Sequence, residues 1–171
     1  MTIAEQIAIR TRTGLDLHVR PVRAEDEPAL IAFFEKVSPE DRRFRFLTAA
    51  DHPSHQQLLP MVTADHDHSE SYIAFDRATD QIVASGLFAS DPAGETAELA
   101  VSIRADYRGQ GVGWALLDVI AEAARKRGVR KVISIESRDN HAAIELEREK
   151  GFEPEYFDAD PGLVLLVKRF A

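Results

Sequence analysis

The run Ile103-Arg104-Ala105-Asp106-Tyr107-Arg108-Gly109-Gln110-Gly111-Val112-Gly113 decides how the chain is read. Before it, Leu99, Val101 and Ile103 alternate with Glu98, Ala100 and Ser102. This predicts a strand over 97–104 whose two sets of side chains point to opposite faces. After it, Val112, Leu116, Leu117, Ile120, Ala121 and Ala124 recur at helical spacing as far as Arg127, and Gly128 suits the C-terminal cap. A strand therefore turns through three glycines into a helix. The first amides of such a helix have no internal partners, and with the positive end of the dipole they form an anion site. Glycines let a phosphate approach the backbone, and Arg108 can add a charge-assisted contact. The bland reading is a tight turn in which glycine merely accepts positive φ.

Two common phosphate motifs fail here. A P-loop needs Lys-Ser or Lys-Thr after its last glycine, whereas Gly113 is followed by Trp114 and Ala115. The dinucleotide fingerprint needs a glycine where Trp114 stands, and it normally opens the first strand-helix unit of a chain.

Working outward, Leu15, Leu17 and Val19 predict a first strand ended by Pro21, with a helix at about Asp26 to Val37. Ser38 is an N-cap with Pro39 at the first helical position, opening a second short helix. Tyr72 to Phe75 and Ile82 to Phe88 form a hairpin. Beyond the glycine loop, Val132 to Ile135 is a buried strand, and Asp139 and Asn140 are candidate caps of a helix closing at Gly151. Phe152 to Phe157 and Leu163 to Val167 give two last strands. The order implies an α/β (α+β) fold with a mixed sheet and helices on its faces.

A chain of 171 residues with 44% hydrophobic content fits one domain over 1–171, with residues 1–13 expected to be disordered. With no cysteine there is no disulfide framework, thiolate metal site or cysteine nucleophile, which suits a reducing cytoplasm. Neither a signal peptide nor an apolar run of roughly 18 residues is present, so no membrane partner is expected. The net charge of -8 disfavours nonspecific binding to nucleic acid and mildly favours cationic partners such as amines.

Arg108-Gly109-Gln110-Gly111-Val112-Gly113, preceded by Tyr107, resembles the Arg/Gln-x-x-Gly-x-Gly/Ala pattern of the GNAT acyltransferase superfamily. Asp139-Asn140-His141-Ala142-Ala143-Ile144 and Gly151-Phe152 are similar to that family's second motif. The resemblance implies a central, mostly antiparallel sheet with helices on both faces and a splayed strand pair that receives acetyl-CoA as co-substrate. It assigns the pyrophosphate to Arg108, Gly109, Gln110, Gly111, Val112, Gly113 and Trp114. The pantetheine falls to backbone groups of Val101, Ser102 and Ile103, whose side chains alone suggest only core. It brings Asn140 to the pantetheine or the reacting region, although Asn140 also reads as a plain N-cap.

Acyl transfer to an amine needs neutral nitrogen, while a free lysine, with pKa near 10.4, is almost wholly protonated at pH 7. A positioned base is therefore useful, and Glu98 stands on the strand beside the implied cofactor gap. By itself it reads more readily as a solvated strand residue. Ala97-Glu98-Leu99-Ala100-Val101, Val19 to Arg23 and Ser38 to Phe46 resemble the catalytic domain of bacterial protein-lysine acetyltransferases. That resemblance makes Glu98 the general base and a protein lysine the leading acceptor, with a small-molecule amine second. One position departs from the family. Where many members carry Tyr as the acid for the leaving thiolate, this chain has Glu147, which reads as part of a solvated helix face.

His52, His55, His66 and His68 among Asp51, Asp65 and Asp67 fall in an expected loop, where alternation does not make ligands converge. The cluster reads as a polar rim near the acceptor, and no metal is assigned. A non-catalytic acyl-CoA-sensing module stays open as a competing class.

Overall fold

The computed structural model describes residues 6–46, 52–64, 67–155 and 160–170. Within these residues eight strands form one sheet: β1 (Ile7–Arg10), β2 (Asp16–Pro21), β3 (Ser69–Asp76), β4 (Gln81–Ser90), β5 (Thr96–Ile103), β6 (Lys131–Ser137), β7 (Glu153–Glu155) and β8 (Leu163–Arg169). Among the described residues five α-helices accompany them: α1 (Glu27–Glu35), α2 (Pro39–Phe46), α3 (His55–Val62), α4 (Val112–Lys126) and α5 (His141–Glu149). The strand order is β1-β2-β3-β4-β5-β6-β8-β7. Every neighbouring pair is antiparallel except β5 with β6.

Alternation along the strands sorts the core onto two faces. On one, Tyr72, Ala74, Phe88, Ala97, Leu99 and Val132 pack with Leu116, Leu117, Ile120 and Ala124 of α4. On the other, Ile73 and Ile82 meet Leu30, Phe33 and Phe34 of α1, Phe46 of α2, and Leu58, Met61 and Val62 of α3. Leu116 and Ile120 are wholly buried, each a gain of about 1.5–3 kcal/mol over exposure. The helices thus lie on both faces, as expected.

Several local readings agree with the structure. Ser38 Oγ accepts from the Asp41 amide at 3.2 Å and caps α2, and Asn140 Oδ1 accepts from the Ala143 amide at 3.3 Å and caps α5. Others are corrected. Ile7–Arg10 is ordered as the edge strand β1, pairing Ile7 with Val19 and Ile9 with Leu17, in place of the disorder expected for 1–13. The histidine-rich segment contains α3 as well as loop. There Ser54 Oγ accepts from the Gln57 amide while the Gln57 side chain accepts from the Ser54 amide, a reciprocal cap. His55 opens α3 and lies 2.7 Å from Glu27 of α1. Asp51, Asp65 and His66 lie outside the described residues, as does the end of the strand expected over 152–157. Its described part is β7, and Phe152 is a buried core residue ahead of it.

Candidate acetyl-transfer site

β5 and β6 pair over three residues only: Thr96 with Lys131, Ala97 with Val132 and Glu98 with Ile133. Past Glu98, β5 keeps β4 on one side, down to Ile103 opposite Ala84, but among the described residues has no strand on the other. β6 continues against β8 to Ser137. The sheet therefore forks after Glu98, and the backbone edge of Leu99 to Ile103 lines the opening. This is the splayed pair expected from the resemblance. An open edge inside a sheet leaves amides and carbonyls in need of partners, which an extended amide-bearing chain can supply.

The glycine loop lies at the open end of the fork. A short 3₁₀ turn, Ala105–Tyr107, leads into it, and the Tyr107 hydroxyl donates to Asp76 Oδ2 at 2.6 Å, tying the loop to β3. Gly111, at φ 82°, is the N-cap of α4, a 15-residue helix with no side-chain cap and no acidic residue in its first turn. The positive φ suits glycine. The free amides and the helix dipole suit an anion. Thr13 Oγ1 donates to the Gln110 carbonyl at 2.6 Å, so the β1–β2 turn braces this loop. Sequence reasoning missed that brace because the contact spans 97 residues.

The other residues of the run have distinct surroundings. Val112 buries its side chain and offers only backbone. At Gly113 a Cβ would come within 2.7 Å of Ile103 Cδ1 and 3.5 Å of Leu146 Cδ1, so this glycine lets α4 close on β5 and α5. Arg108 lies 3.4 Å from Asp41 of α2. Trp114 is covered by Arg12 at 4.0 Å and Lys150 at 3.7 Å from its ring centre, a double cation–π contact. An uncapped helix end, an arginine and an exposed β5 edge make a set of donors suited to a diphosphate joined to an amide-bearing arm.

Glu98 is exposed and sits where the fork closes. Its neighbour Ala97 belongs to the α4-side core, so Glu98 faces the side of α1 and α2. Arg45 of α2 comes near it: burial lowers the Arg45 guanidinium's pKa, and the Glu98 charge acts to raise it again. Glu147 overturns the expectation of a solvated helix face, for it is only 5% exposed. It lies against Glu136 of β6, and burial raises the pKa of both carboxyls, Glu136 to about 9. The fork leaves room for this approach, because β6 past Ile133 no longer pairs with β5 and keeps β8 on its other side. Among the described residues no three histidine or acidic side chains converge as metal ligands, and no helix is long and apolar enough to cross a membrane.

The model of the acetyltransferase (GNAT) family matches residues 32–152. An acetyltransferase of Pseudomonas aeruginosa is 29% identical over 141 residues, which cover 81% of this chain and 76% of that one. The L-methionine sulfoximine/L-methionine sulfone acetyltransferase of Pseudomonas paraeruginosa is 40% identical over 58 residues, 34% of each chain. Among solved structures, the GNAT domain of S. lividans PAT shares the fold at a TM-score of 0.88 and 24% identity, over 96% of this chain and 97% of that one. The matched span runs from α1 through the fork, the glycine loop and α5, and on that ground the chain belongs to the GNAT acetyltransferase family, whose co-substrate is acetyl-CoA.

Proposed function

We propose that the protein transfers the acetyl group of acetyl-CoA directly to a primary amine of a protein lysine, working in the cytoplasm. The observation that carries this reading is the fork itself, with an anion-binding loop at its open end and a carboxylate where it closes. In this reading the loop from Arg108 to Gly113, with Trp114 beside it, holds the diphosphate. Val101, Ser102 and Ile103 receive the pantetheine amides along the β5 edge, and Asn140 borders the arm from the start of α5. Glu98 accepts the proton that the amine loses, directly or through water, offsetting a cost of roughly 4–5 kcal/mol for neutral lysine at pH 7. Likeness of Ala97 to Val101, Val19 to Arg23 and Ser38 to Phe46 to protein-lysine acetyltransferases supports the acceptor, as does the charge of -8.

A second acceptor class has its own support. Arg45 beside Glu98 would suit the carboxylate of a free amino acid, and one partial relative is named for acting on L-methionine sulfoximine and L-methionine sulfone. The test incubates the protein and acetyl-CoA with lysine-rich proteins in parallel with free amino acids and simple amines. CoA release and mass shifts are read against a Glu98→Gln control. Acetyl-lysines that depend on Glu98 support the protein reading. Turnover of an amino acid alone, lost in Arg45→Gln, replaces it with the second, and no turnover with any amine overturns acetyl transfer.

A further inference from the structure

The turn between β1 and β2 brings Arg12 to the N-terminus of α4. A Cβ at Gly111 would lie 3.3 Å from Thr11 Cβ and 3.5 Å from Arg12 Cγ, so this turn passes directly over the N-cap. From there the Arg12 guanidinium reaches the ring of Trp114, in the first turn of the helix, at 4.0 Å. Lys150 Nζ, from the end of α5, lies 3.7 Å from the same ring centre. Two cations this close to one ring centre would collide on a single face, so they take opposite faces. Neither face of Trp114 is then left for an adenine to stack on.

The two cations differ in how far they are committed. The Lys150 side chain is only 8% exposed and is held at 2.5 Å by Asp118 of α4, so its charge is neutralised where it stands. The Arg12 side chain is 56% exposed, and its acid, Glu149 of α5, is 3.7 Å away and itself 44% exposed. A pair this long and this wet is worth little. Arg12 therefore has N–H groups to offer, and its stacking on Trp114 orients the guanidinium before a ligand arrives, which lowers the entropy lost on binding. Arg108, paired with Asp41, stands toward α2. One guanidinium thus flanks the start of α4 on the α2 side and a second on the side of the α5 end.

Acetyl-CoA carries negative charge in two places, its diphosphate and a phosphate on the 3′ oxygen of its ribose. In the reading above the diphosphate meets the glycine loop and the pantetheine runs into the fork, so the ribose lies beyond the diphosphate, away from the fork. Resting on that reading, we propose that Arg12 binds the 3′-phosphate and so sets a preference for thioesters of CoA over those of dephospho-CoA. A guanidinium presents paired N–H donors that match phosphate oxygens, and a phosphate offers them more than the single distant charge of Glu149. Arg12 precedes the span 32–152 matched by the family model, so the contact belongs to this chain's own β1–β2 turn.

Calorimetric titration with acetyl-CoA and with acetyl-dephospho-CoA, which differ only in the 3′-phosphate, tests this without turnover. Wild type should bind acetyl-CoA about tenfold more tightly, the scale of a charged hydrogen bond. In Arg12→Gln that ratio should fall to within about twofold, through weaker binding of acetyl-CoA alone. Arg12→Lys keeps the charge without the paired donors and should give an intermediate ratio. Trp114 is the only tryptophan, so its emission reports on the Arg12 contact. In wild type acetyl-CoA should change that emission more than acetyl-dephospho-CoA does, and in Arg12→Gln the two should act alike. A wild-type ratio near one, or a tenfold ratio that survives in Arg12→Gln, overturns the proposal. An Arg12→Gln protein that loses both ligands equally overturns it too, because Arg12 would then serve the diphosphate or the shape of the loop. A wild type that binds neither ligand overturns instead the placing of CoA in the fork, on which the proposal rests.

Discussion

Arg108 of the glycine loop and Asp41 of α2 form an ion pair at 3.4 Å, joining the phosphate end of the fork to the helix that also carries Arg45. Both side chains are partly exposed, so the pair itself is worth little. Its consequence is competition, because a diphosphate at the α4 N-terminus and Asp41 draw on the same guanidinium. Asp41→Asn is expected to tighten acetyl-CoA binding severalfold. Arg108→Ala should weaken it about tenfold, the scale of a charged hydrogen bond. Calorimetric titration at two salt concentrations checks both, and equal affinities in all three proteins would remove Arg108 from the phosphate site.

Gly113 and Ile103 meet where α4 crosses β5, and the close approach predicts a coupled pair. In Gly113→Ala the new Cβ would lie 2.7 Å from Ile103 Cδ1, an overpacking that costs about 1–3 kcal/mol. Ile103→Val removes that terminal methyl. The double variant should therefore lose less stability than the sum of the two single ones, measured by urea unfolding in a double-mutant cycle. Simple additivity would mean that the contact relaxes without strain.

For Glu98 the expected signature lies in the pH profile. Glu98→Gln should keep acetyl-CoA affinity while lowering kcat by roughly 10²- to 10⁴-fold near neutrality. The deficit should shrink as pH rises toward the amine pKa near 10.4, where solvent deprotonates the acceptor unaided. A variant that matches wild type at neutral pH would place the base elsewhere.

How much of this was legible in the sequence follows from how local each feature is. The glycine loop, α4 and the caps at Ser38 and Asn140 rest on contacts within a few residues, and the reading found them. The β1 edge strand was missed because four mostly exposed residues carry little periodic signal. α3 was missed because His55 and Pro60 masked the pattern of Leu58, Met61 and Val62. Glu147 was misplaced for a different reason. Its burial depends on β6 parting from β5 thirteen residues earlier, and helical periodicity cannot see that. The same holds for Arg45, which reaches Glu98 only because α2 lies across the fork.

The Glu136–Glu147 pair also predicts how stability varies with pH, apart from any activity. Burial raises both carboxyls in the folded state, Glu136 to about 9, whereas in the unfolded chain they titrate near 4.3. Between those values the folded protein binds more protons than the unfolded one, so its stability falls as pH rises. The pair's contribution is fully present below about pH 4 and is lost through the folded pKa. The slope across that window is at most about 1.4 kcal/mol per pH unit for one shared proton. Glu136→Gln removes the coupled titration, because an amide beside Glu147 can donate to it at every pH. The variant should therefore lose less stability than wild type between pH 6 and 9 and be the more stable of the two at the alkaline end. Thermal unfolding of both proteins over that range checks the sign, and parallel curves would show that the pair exchanges no proton on unfolding.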